Sequence, residues 1–264
     1  MFPFNVPLLC HPLSEPSAFT AEGLIAAVRK ERKLTSRPLP LVCVLEFDGD
    51  LTDWIVAAGR ARVHRDWACF HTVMHTIEVE GNDCGIIART IGGPFAVLAA
   101  EQLRASGVKV ILALTSAGRV APTLPLPSLV VVREAIRDEG TSYHYLAPSK
   151  YVASDDGLVS TLAEELKSLG LPVQTGRVWT TDAPYRETQQ QLDQYSADGV
   201  LVVEMQAASL LAFSKATGVP VGVVALVSNA VDHSEGAFDK GSQDSAEQLL
   251  RAMCRAARRY LNGV

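Results

Sequence analysis

The sequence predicts an α/β fold in which helices cover a largely parallel or mixed sheet. From Leu41 onward, short β-branched runs alternate with helical patterns, and no internal repeat or low-complexity tract interrupts them. Most of the predicted strands are continuous apolar runs, which is typical of strands buried on both faces and not of a sandwich. A chain of 264 residues can bury one sizeable core, so we expect a single domain over residues 1–264.

The chain begins with a proline-rich arm, residues 1–39, around one amphipathic stretch, Ala21–Lys33. We expect this arm to pack on the domain or on a neighbouring subunit. After it, eight short apolar runs rich in β-branched residues are predicted strands. They are Leu41–Phe47, Thr76–Val79, Cys84–Ile91, Val108–Leu114, Ser128–Arg133, Val173–Val178, Val200–Val203 and Val219–Val227.

Four segments have the i, i+3, i+4 apolar spacing of helices that pack on a core. Pro94 opens the first of them and Gly107 ends it, while Gly218 ends the third. Ser245 and Gln248 predict a capping box before the last. The four helices are Pro94–Ser106, Leu158–Leu169, Glu204–Thr217 and Ala246–Leu261.

Composition and charge exclude several classes of protein. Hydrophobic residues make up 48% of the chain and charged residues 20%, which disfavours disordered and fibrous proteins. The net charge of −5 comes from interspersed signs. The one basic group, Arg255, Arg258 and Arg259, falls in the last turns of a predicted helix, where it complements the helix dipole. We therefore expect no nucleic-acid partner.

Cysteine usage and the N-terminus favour the cytoplasm. Five cysteines are scattered without any CxxC spacing, which argues against both a disulfide framework and a zinc ribbon and favours a reducing compartment. Residues 1–16 lack the positive start of a signal peptide and are broken by prolines. No apolar run approaches the roughly 18 residues of a membrane span, so we expect no membrane partner.

Polar residues follow four of the predicted strands. In an open α/β sheet, ligands bind beyond the carboxyl ends of the strands, so these residues indicate a site. Each alone is also a common cap or turn residue, and only their joint placement points to function. We expect one cleft to be lined by Thr115, Ser116, Trp179, Met205, Gln206 and Asn229.

The same segments resemble nucleoside phosphorylases from about Leu41 to Val231. Gly92–Ala96 leads into Glu101–Leu103 as the family's glycine-rich turn does, and Thr115–Gly118 resembles its phosphate-site turn. Ala135–Ser142 is similar to a segment of the uridine phosphorylase branch. Two further stretches, Thr180–Tyr185 and Glu204–Ala208, complete the pattern.

The resemblance implies a three-layer α/β fold, phosphorylase/hydrolase-like, with a mixed sheet partly closed as a barrel. It also implies homo-oligomers, as dimers, trimers or hexamers, with sites near subunit boundaries. The implied reaction is attack of inorganic phosphate, the co-substrate, on the anomeric carbon of a nucleoside. The sugar passes through an oxocarbenium-like state, and the products are free base and pentose 1-phosphate. No cofactor is implied.

This chemistry needs particular groups. Phosphate needs amides, hydroxyls and an arginine, the cationic sugar needs a carboxylate, and the departing base needs stacking and a donor. By position, the resemblance assigns Thr115, Ser116, Gly93 and Arg137 to phosphate, Glu204, Met205 and Gln206 to ribose, and Trp179, Thr181 and Asn229 to the base, with Gln206 and Asn229 as catalytic residues.

Two phosphate-binding features of the family are missing. Ala113 stands where many members have an arginine, and the glycine-aspartate-proline turn with its arginine is absent, with Gly49-Asp50 no convincing substitute. Arg65, Arg89 and Arg137 are candidate replacements, and each is equally well explained as a solvated arginine.

The sugar and base positions also depart from the pattern. Gln206 replaces a glutamate, so the position offers one acceptor, two donors and no charge. Asn229 resembles the uridine and 6-oxopurine branches, which favours an oxygen-bearing base such as uracil or a 6-oxopurine. Cys69, His71 and His75 contain a His-x-x-x-His spacing, but the following residues read as strand and no third ligand is at motif spacing, so we expect no metal.

Three functions stay open on these residues. A nucleoside phosphorylase is the leading hypothesis. A hydrolytic nucleosidase on the same fold is the alternative, because water needs no arginine at Ala113, although Asn229 is less typical of that branch. A non-catalytic nucleoside-binding or storage protein is the third, because Gln206 lacks the carboxylate's charge.

Overall fold

The fold is built around one mixed sheet. The computed structural model describes residues 6–35, 37–230 and 243–263, and for Asn229 and Ala230 it describes only the backbone. Within these ranges the sheet has ten strands. They are β1 Val42–Glu46, β2 Arg62–Val63, β3 Met74–Val79, β4 Asn82–Ala88, β5 Val110–Arg119, β6 Ser128–Asp138, β7 Tyr151–Ala153, β8 Val173–Thr181, β9 Val200–Glu204 and β10 Val221–Ala230.

Part of this sheet closes on itself. Strands β5, β10, β6, β8 and β9 pair in a ring, and β1, β4, β3 and β2 extend from β5 as an open wing. The pairing is parallel for β1 with β4 and β5, for β10 with β5, and for β8 with β6 and β9. It is antiparallel for β10 with β6 and for β5 with β9. The predicted mixed, partly barrel-closed sheet is confirmed.

Seven helices are described. They are α1 Ala21–Glu31, α2 Asp50–Ala57, α3 Gly93–Ala105, α4 Asp156–Leu166, α5 Gln189–Ala197, α6 Ala207–Thr217 and α7 Gln243–Leu261. One apolar core lies between the sheet and α3 and α6, and a second lies between the sheet and α2, α4 and α7. Helices therefore cover both faces, which confirms the three-layer α/β fold.

The start of β5 shows why continuous apolar runs predicted the strands. Ile111 and Ala113 belong to the core under α3 and α6, whereas Val110, Leu112 and Leu114 belong to the core under α2 and α7. Because side chains alternate between the faces of a strand and both faces are covered, every position is apolar.

Two predicted helix starts are wrong. The helix predicted from Glu204 begins at Ala207, because Glu204 ends β9 and Gln206 has the non-helical dihedral angles φ −135° and ψ −28°. The last helix is already formed at Gln243, so Ser245 lies inside its first turn and does not cap it. The predicted Leu158–Leu169 helix is α4 followed by a 3₁₀ turn at Lys167–Leu169.

The sequence patterns missed the short elements. Helix α5 has no fully buried side chain, and only Leu192 and Tyr195 pack partly buried against the sheet, which is too short an apolar pattern to predict a helix. Thr188 and Gln191 form a capping box at its start. Strands β2 and β7 have two and three residues. Helix α2 has eight residues, of which two apolar ones, Leu51 and Ile55, lie one helical turn apart in the core.

The N-terminal arm packs on its own domain. Helix α1 lies against α3, and Ile25 and Val28 form a small core with Ala68. Nearer the N-terminus, the ring of His11 lies 3.8 Å from the ring of His144.

The basic group near the C-terminus is used within the chain. Arg255 and Arg259 pair with Glu165 of α4, and Arg258 donates to the backbone oxygen of Asp83. These arginines therefore join α7 to α4 and to the start of β4. Across the described ranges, no helix combines the length and apolar character that a membrane crossing requires.

Phe213 of α6 tests the core under α3 and α6. Its side chain is 0% exposed, and its ring meets that of Tyr145 edge-on at 6.1 Å. We expect Phe213→Ala to lower the free energy of unfolding by about 3–5 kcal/mol, since it leaves a cavity. Tyr185 is 99% exposed, so Tyr185→Ala should cost no more than about 0.5 kcal/mol. Urea unfolding measures both; equal losses would contradict this placement of α6.

Candidate functional site

The carboxyl ends of β5 and β9 meet, although these strands are antiparallel. They pair only through their last residues, Gly118 with Val203 and Arg119 with Val202. The turn after β9 therefore returns beside the middle of β5. As a result, the hydroxyl of Thr115 donates to Oε1 of Gln206 at 3.4 Å, across 91 positions of sequence.

Gln206 is held in one orientation. Its Oε1 also accepts the backbone N–H of Met205 at 3.1 Å, which fixes that atom as the amide oxygen. Its Nε2 makes no hydrogen bond to the described residues. The side chain is 3% exposed. This position therefore offers a ligand two N–H donors and no negative charge.

Glu204 caps the helix that follows it. The side chain is 4% exposed, and its Oε2 accepts the backbone N–H groups of Gln206 at 2.7 Å and Ala207 at 2.8 Å. Its Oε1 accepts the hydroxyl of Thr180 at 2.5 Å. Burial raises the pKa of Glu204 to about 7, against the lowering effect of these hydrogen bonds. Glu204 therefore titrates near neutral pH.

A second buried carboxylate, Glu139, lies after β6. It accepts the hydroxyl of Ser209 in α6 and the backbone N–H of Ser142 at 3.0 Å. Its negative charge also contributes to the raised pKa of Glu204. The first turn of α6 is thus tied to the ends of β6, β8 and β9.

Gly93, assigned to phosphate, begins α3 against α6. A Cβ atom at this position would lie 2.1 Å from Oγ of Ser209 and 3.3 Å from Oγ1 of Thr141. The glycine is required for the close approach of the two helices, whatever ligand its backbone meets.

Ser116 faces different neighbours from Thr115. Its hydroxyl donates to Asp48, just after β1, at 3.0 Å. Both residues line a cavity of about 220 Å³ together with Glu46, Asp48 and Asp50, and no Lys or Arg is among the described residues that line it. Burial raises the pKa of Glu46, while hydrogen bonds from Gly49 and Thr52 oppose that rise. Three carboxyl side chains therefore line this cavity.

Trp179 and Thr181, assigned to the base, lie on another cavity, of about 600 Å³. Trp179 is 1% exposed, its Nε1 donates to Asp138 at 2.9 Å, and its ring lies 4.7 Å from that of Tyr195. The indole is therefore almost completely buried by the chain itself. Leu8 and Leu9 of the arm line the same cavity.

Arg137, the first candidate for phosphate, is bound within the chain. Arg137 donates to the hydroxyls of Ser142 and Ser149 and to the backbone oxygens of Leu146 and Ala147, so it holds the loop after β6. Burial lowers its pKa. It lines the cavity of Trp179 and not that of Thr115.

The other two arginines are also accounted for. Arg89 forms a bidentate ion pair with Asp53, and Arg65 is exposed. Ala113 is fully buried in the core under α3 and α6.

The last two sequence assignments concern Asn229 and the histidines of the His-x-x-x-His spacing. The side chain of Asn229 is outside the described residues, although its backbone pairs with Gly118 and so places the end of β10 beside β5. His75 lies in β3, and burial lowers its pKa. Among the described residues, no group of three or more His, Cys, Asp or Glu side chains is arranged to hold a metal ion.

The residue-by-residue assignment missed Asp48, Glu139 and Thr180. Asp48 comes directly after an apolar run, which is the same signal that identified Thr115. Glu139 and Thr180 fall inside segments that resemble the family, but nothing in the sequence shows that both are buried and bonded to α6.

Comparison with known proteins places these segments in one family. A family model described as "Phosphorylase superfamily" matches residues 53–262. Guanosine phosphorylase of Halorubrum lacusprofundi is 26% identical over 170 residues, which cover 64% of this chain and 69% of that protein. Uridine phosphorylase of Escherichia coli is 25% identical over 199 residues, covering 70% and 78%. Purine nucleoside phosphorylase DeoD-type of Tolumonas auensis is 22% identical over 174 residues, covering 65% and 74%.

Gly93 provides a test of the α3–α6 contact. Gly93→Ala should lower the free energy of unfolding by about 1–3 kcal/mol, because the new methyl group collides with Ser209. Gly140→Ala is the matched control, since its nearest neighbour would be at 3.6 Å, an ordinary contact. Calorimetric unfolding compares the two. A Gly93→Ala protein as stable as the Gly140→Ala protein would show that α3 and α6 are not in this contact.

Proposed function

The chain belongs to the phosphorylase superfamily, and we propose that it cleaves the N-glycosidic bond of a nucleoside with inorganic phosphate, releasing free base and pentose 1-phosphate. One observation carries the proposal. The family match over residues 53–262 includes the middle of β5 and the turn after β9, which the fold brings together at Thr115 and Gln206. This makes the protein a pentosyltransferase of nucleoside metabolism.

We propose a uracil or 6-oxopurine base. Similar proteins are named uridine phosphorylase and guanosine phosphorylase, and both bases carry exocyclic carbonyl oxygens. In this proposal Met205 and Gln206 face the sugar, and Thr115, Ser116 and the Gly93 turn face phosphate. The base is assigned to Trp179 and Thr181 by the resemblance alone, since they line a different cavity from Thr115. The reaction then depends on how positive charge on the sugar is stabilised, because Gln206 supplies none of the charge that a glutamate would.

Hydrolysis is the second candidate function, and Ala113 favours it. Many members of the family that the sequence resembles have a phosphate-binding arginine at this position, whereas water needs none. Ala113 is fully buried in the core under α3 and α6, so the position supplies no positive charge for a phosphate dianion.

We also propose a cytoplasmic homo-oligomer. None of the five cysteines forms a disulfide, and four of them are buried, which supports a reducing compartment. Large apolar side chains stay exposed at Phe70, Val73 and Ile91, which supports a subunit contact on that side of the chain.

Gln206→Glu tests the role of the turn after β9. In an active enzyme, the new carboxylate should lie beside the developing sugar cation and raise kcat/KM for ribonucleosides by an amount equivalent to about 1–3 kcal/mol, the range for hydrogen bonds to charged groups. Gln174→Glu, the same change at the start of β8, should leave kcat/KM unchanged. Release of free base from a nucleoside panel, with and without phosphate, is the measurement.

The three functions give different results in this assay. Phosphate-dependent release supports the phosphorylase, and release that is independent of phosphate supports the nucleosidase. No release by the wild type or by Gln206→Glu, over the whole panel, would contradict both enzymes and leave a nucleoside-binding protein.

Sedimentation tests the assembly. We expect a dimer, trimer or hexamer at micromolar concentration, and Phe70→Glu should lower the assembled fraction, because it places a charge in an apolar contact. Leu261→Glu, which changes an exposed apolar residue at the end of α7, is the control. A wild-type monomer at this concentration would contradict the proposal.

A further inference from the structure

We propose that Glu204 is a positioning residue of the site, which holds the Met205–Gln206 turn against Thr115 and does not itself contact the substrate. The inference rests on the proposed function, because the turn is where the sugar is expected. It reassigns a carboxylate that the family resemblance places among the ribose ligands.

The hydrogen bonds of Glu204 carry this inference. Three donors surround its two oxygens: the hydroxyl of Thr180 on Oε1, and the backbone N–H groups of Gln206 and Ala207 on Oε2. The next amide, that of Ala208, donates to the hydroxyl oxygen of Thr180 at 2.9 Å. Both carboxylate oxygens are occupied by the protein, and the side chain is buried. A sugar hydroxyl would have to displace one of these donors.

The same bonds fix Gln206. Its backbone N–H is bound to Glu204, and its side-chain oxygen is bound to the hydroxyl of Thr115 and the N–H of Met205. Glu204 thus acts on the cleft through the backbone of Gln206. Only the ionised carboxylate accepts at both oxygens, so a proton on Glu204 removes one acceptor from this network.

Protonation of Glu204 occurs in the range where enzymes are assayed. Burial raises its pKa to about 7, and the charge of Glu139, which faces it from the segment after β6, adds to the rise. Thr180 and the two backbone amides are uncharged and lower it. The network is therefore intact above pH 7 and is lost as the pH falls below it.

The pH dependence of kcat/KM tests the inference, because it reports ionisations of the free enzyme. In the wild type, kcat/KM should fall below about pH 7, mainly through a rise in KM. Glu204→Gln should lower kcat/KM at pH 8 by about tenfold or more and abolish this acid limb, because the amide has one acceptor oxygen and no proton to gain.

Two variants of Thr180 act without changing the carboxylate. Thr180→Val removes a bond that favours the ionised form, so the acid limb should move to higher pH. Thr180→Ser keeps the hydroxyl and should restore the wild-type profile. A merely structural role for Thr180 would change the rate but not the position of the limb.

Glu187 is the matched control. Burial raises its pKa to about 7 as well, and it takes no part in the hydrogen bonds around α6. Glu187→Gln should therefore keep the acid limb. An acid limb that persists in Glu204→Gln, or that disappears in Glu187→Gln, would overturn the inference.

Nuclear magnetic resonance separates this inference from the proposed function. The amide protons of Gln206 and Ala207 should shift with pH near 7 in the wild type, and should not do so in Glu204→Gln. Catalysis with no such titration would refute the positioning role alone. Titration in a protein that releases no base from any nucleoside would refute the proposed function and leave the role of Glu204 in holding the turn.

Discussion

The pairing of β5 with β9 is the constraint on which the rest of the site depends. Strands that run antiparallel over their full length would put their carboxyl ends at opposite edges of the sheet. Here the two strands overlap only at Gly118, Arg119, Val202 and Val203, so their carboxyl ends lie side by side. The ring formed with β10, β6 and β8 holds that overlap. Thr115 and Gln206 meet because the barrel closes in this register.

Buried polar groups then make the turn rigid. Glu204, Glu139 and Thr180 occupy the first amides and the first hydroxyl of α6, while Gly93 lets α3 approach the same point. Each buried carboxylate is hydrogen-bonded, as burial of a charge requires. The amide groups that begin α6 are therefore used within the chain, and a ligand at this turn meets side chains and the Met205–Gln206 backbone before it meets the helix terminus.

Charge distinguishes the two chemistries that the fold permits. The candidate arginines for phosphate are engaged elsewhere, Arg89 with Asp53 and Arg137 with the loop after β6, and Ala113 supplies no charge. Membership of the phosphorylase superfamily favours phosphate as the nucleophile, whereas this distribution of charge favours water. The fold is the same for both, so the nucleophile is set by a few side chains around Thr115 and Ser116.

The sequence by itself determined the layered α/β fold, the eight longer strands and the family, because covered strands must be apolar throughout and the motifs occur in order along the chain. It also singled out Thr115 and Gln206 as polar residues that follow apolar runs. Thr115 nevertheless lies inside β5, which continues to Arg119. The sequence did not reveal that Arg137 is committed to a loop, that Glu204 ends a strand and caps α6, or that Asp48 reaches Ser116. Those facts depend on which distant segments the closed sheet brings within hydrogen-bonding distance, and a local pattern of side chains carries no record of that register. Only the tertiary structure decided them.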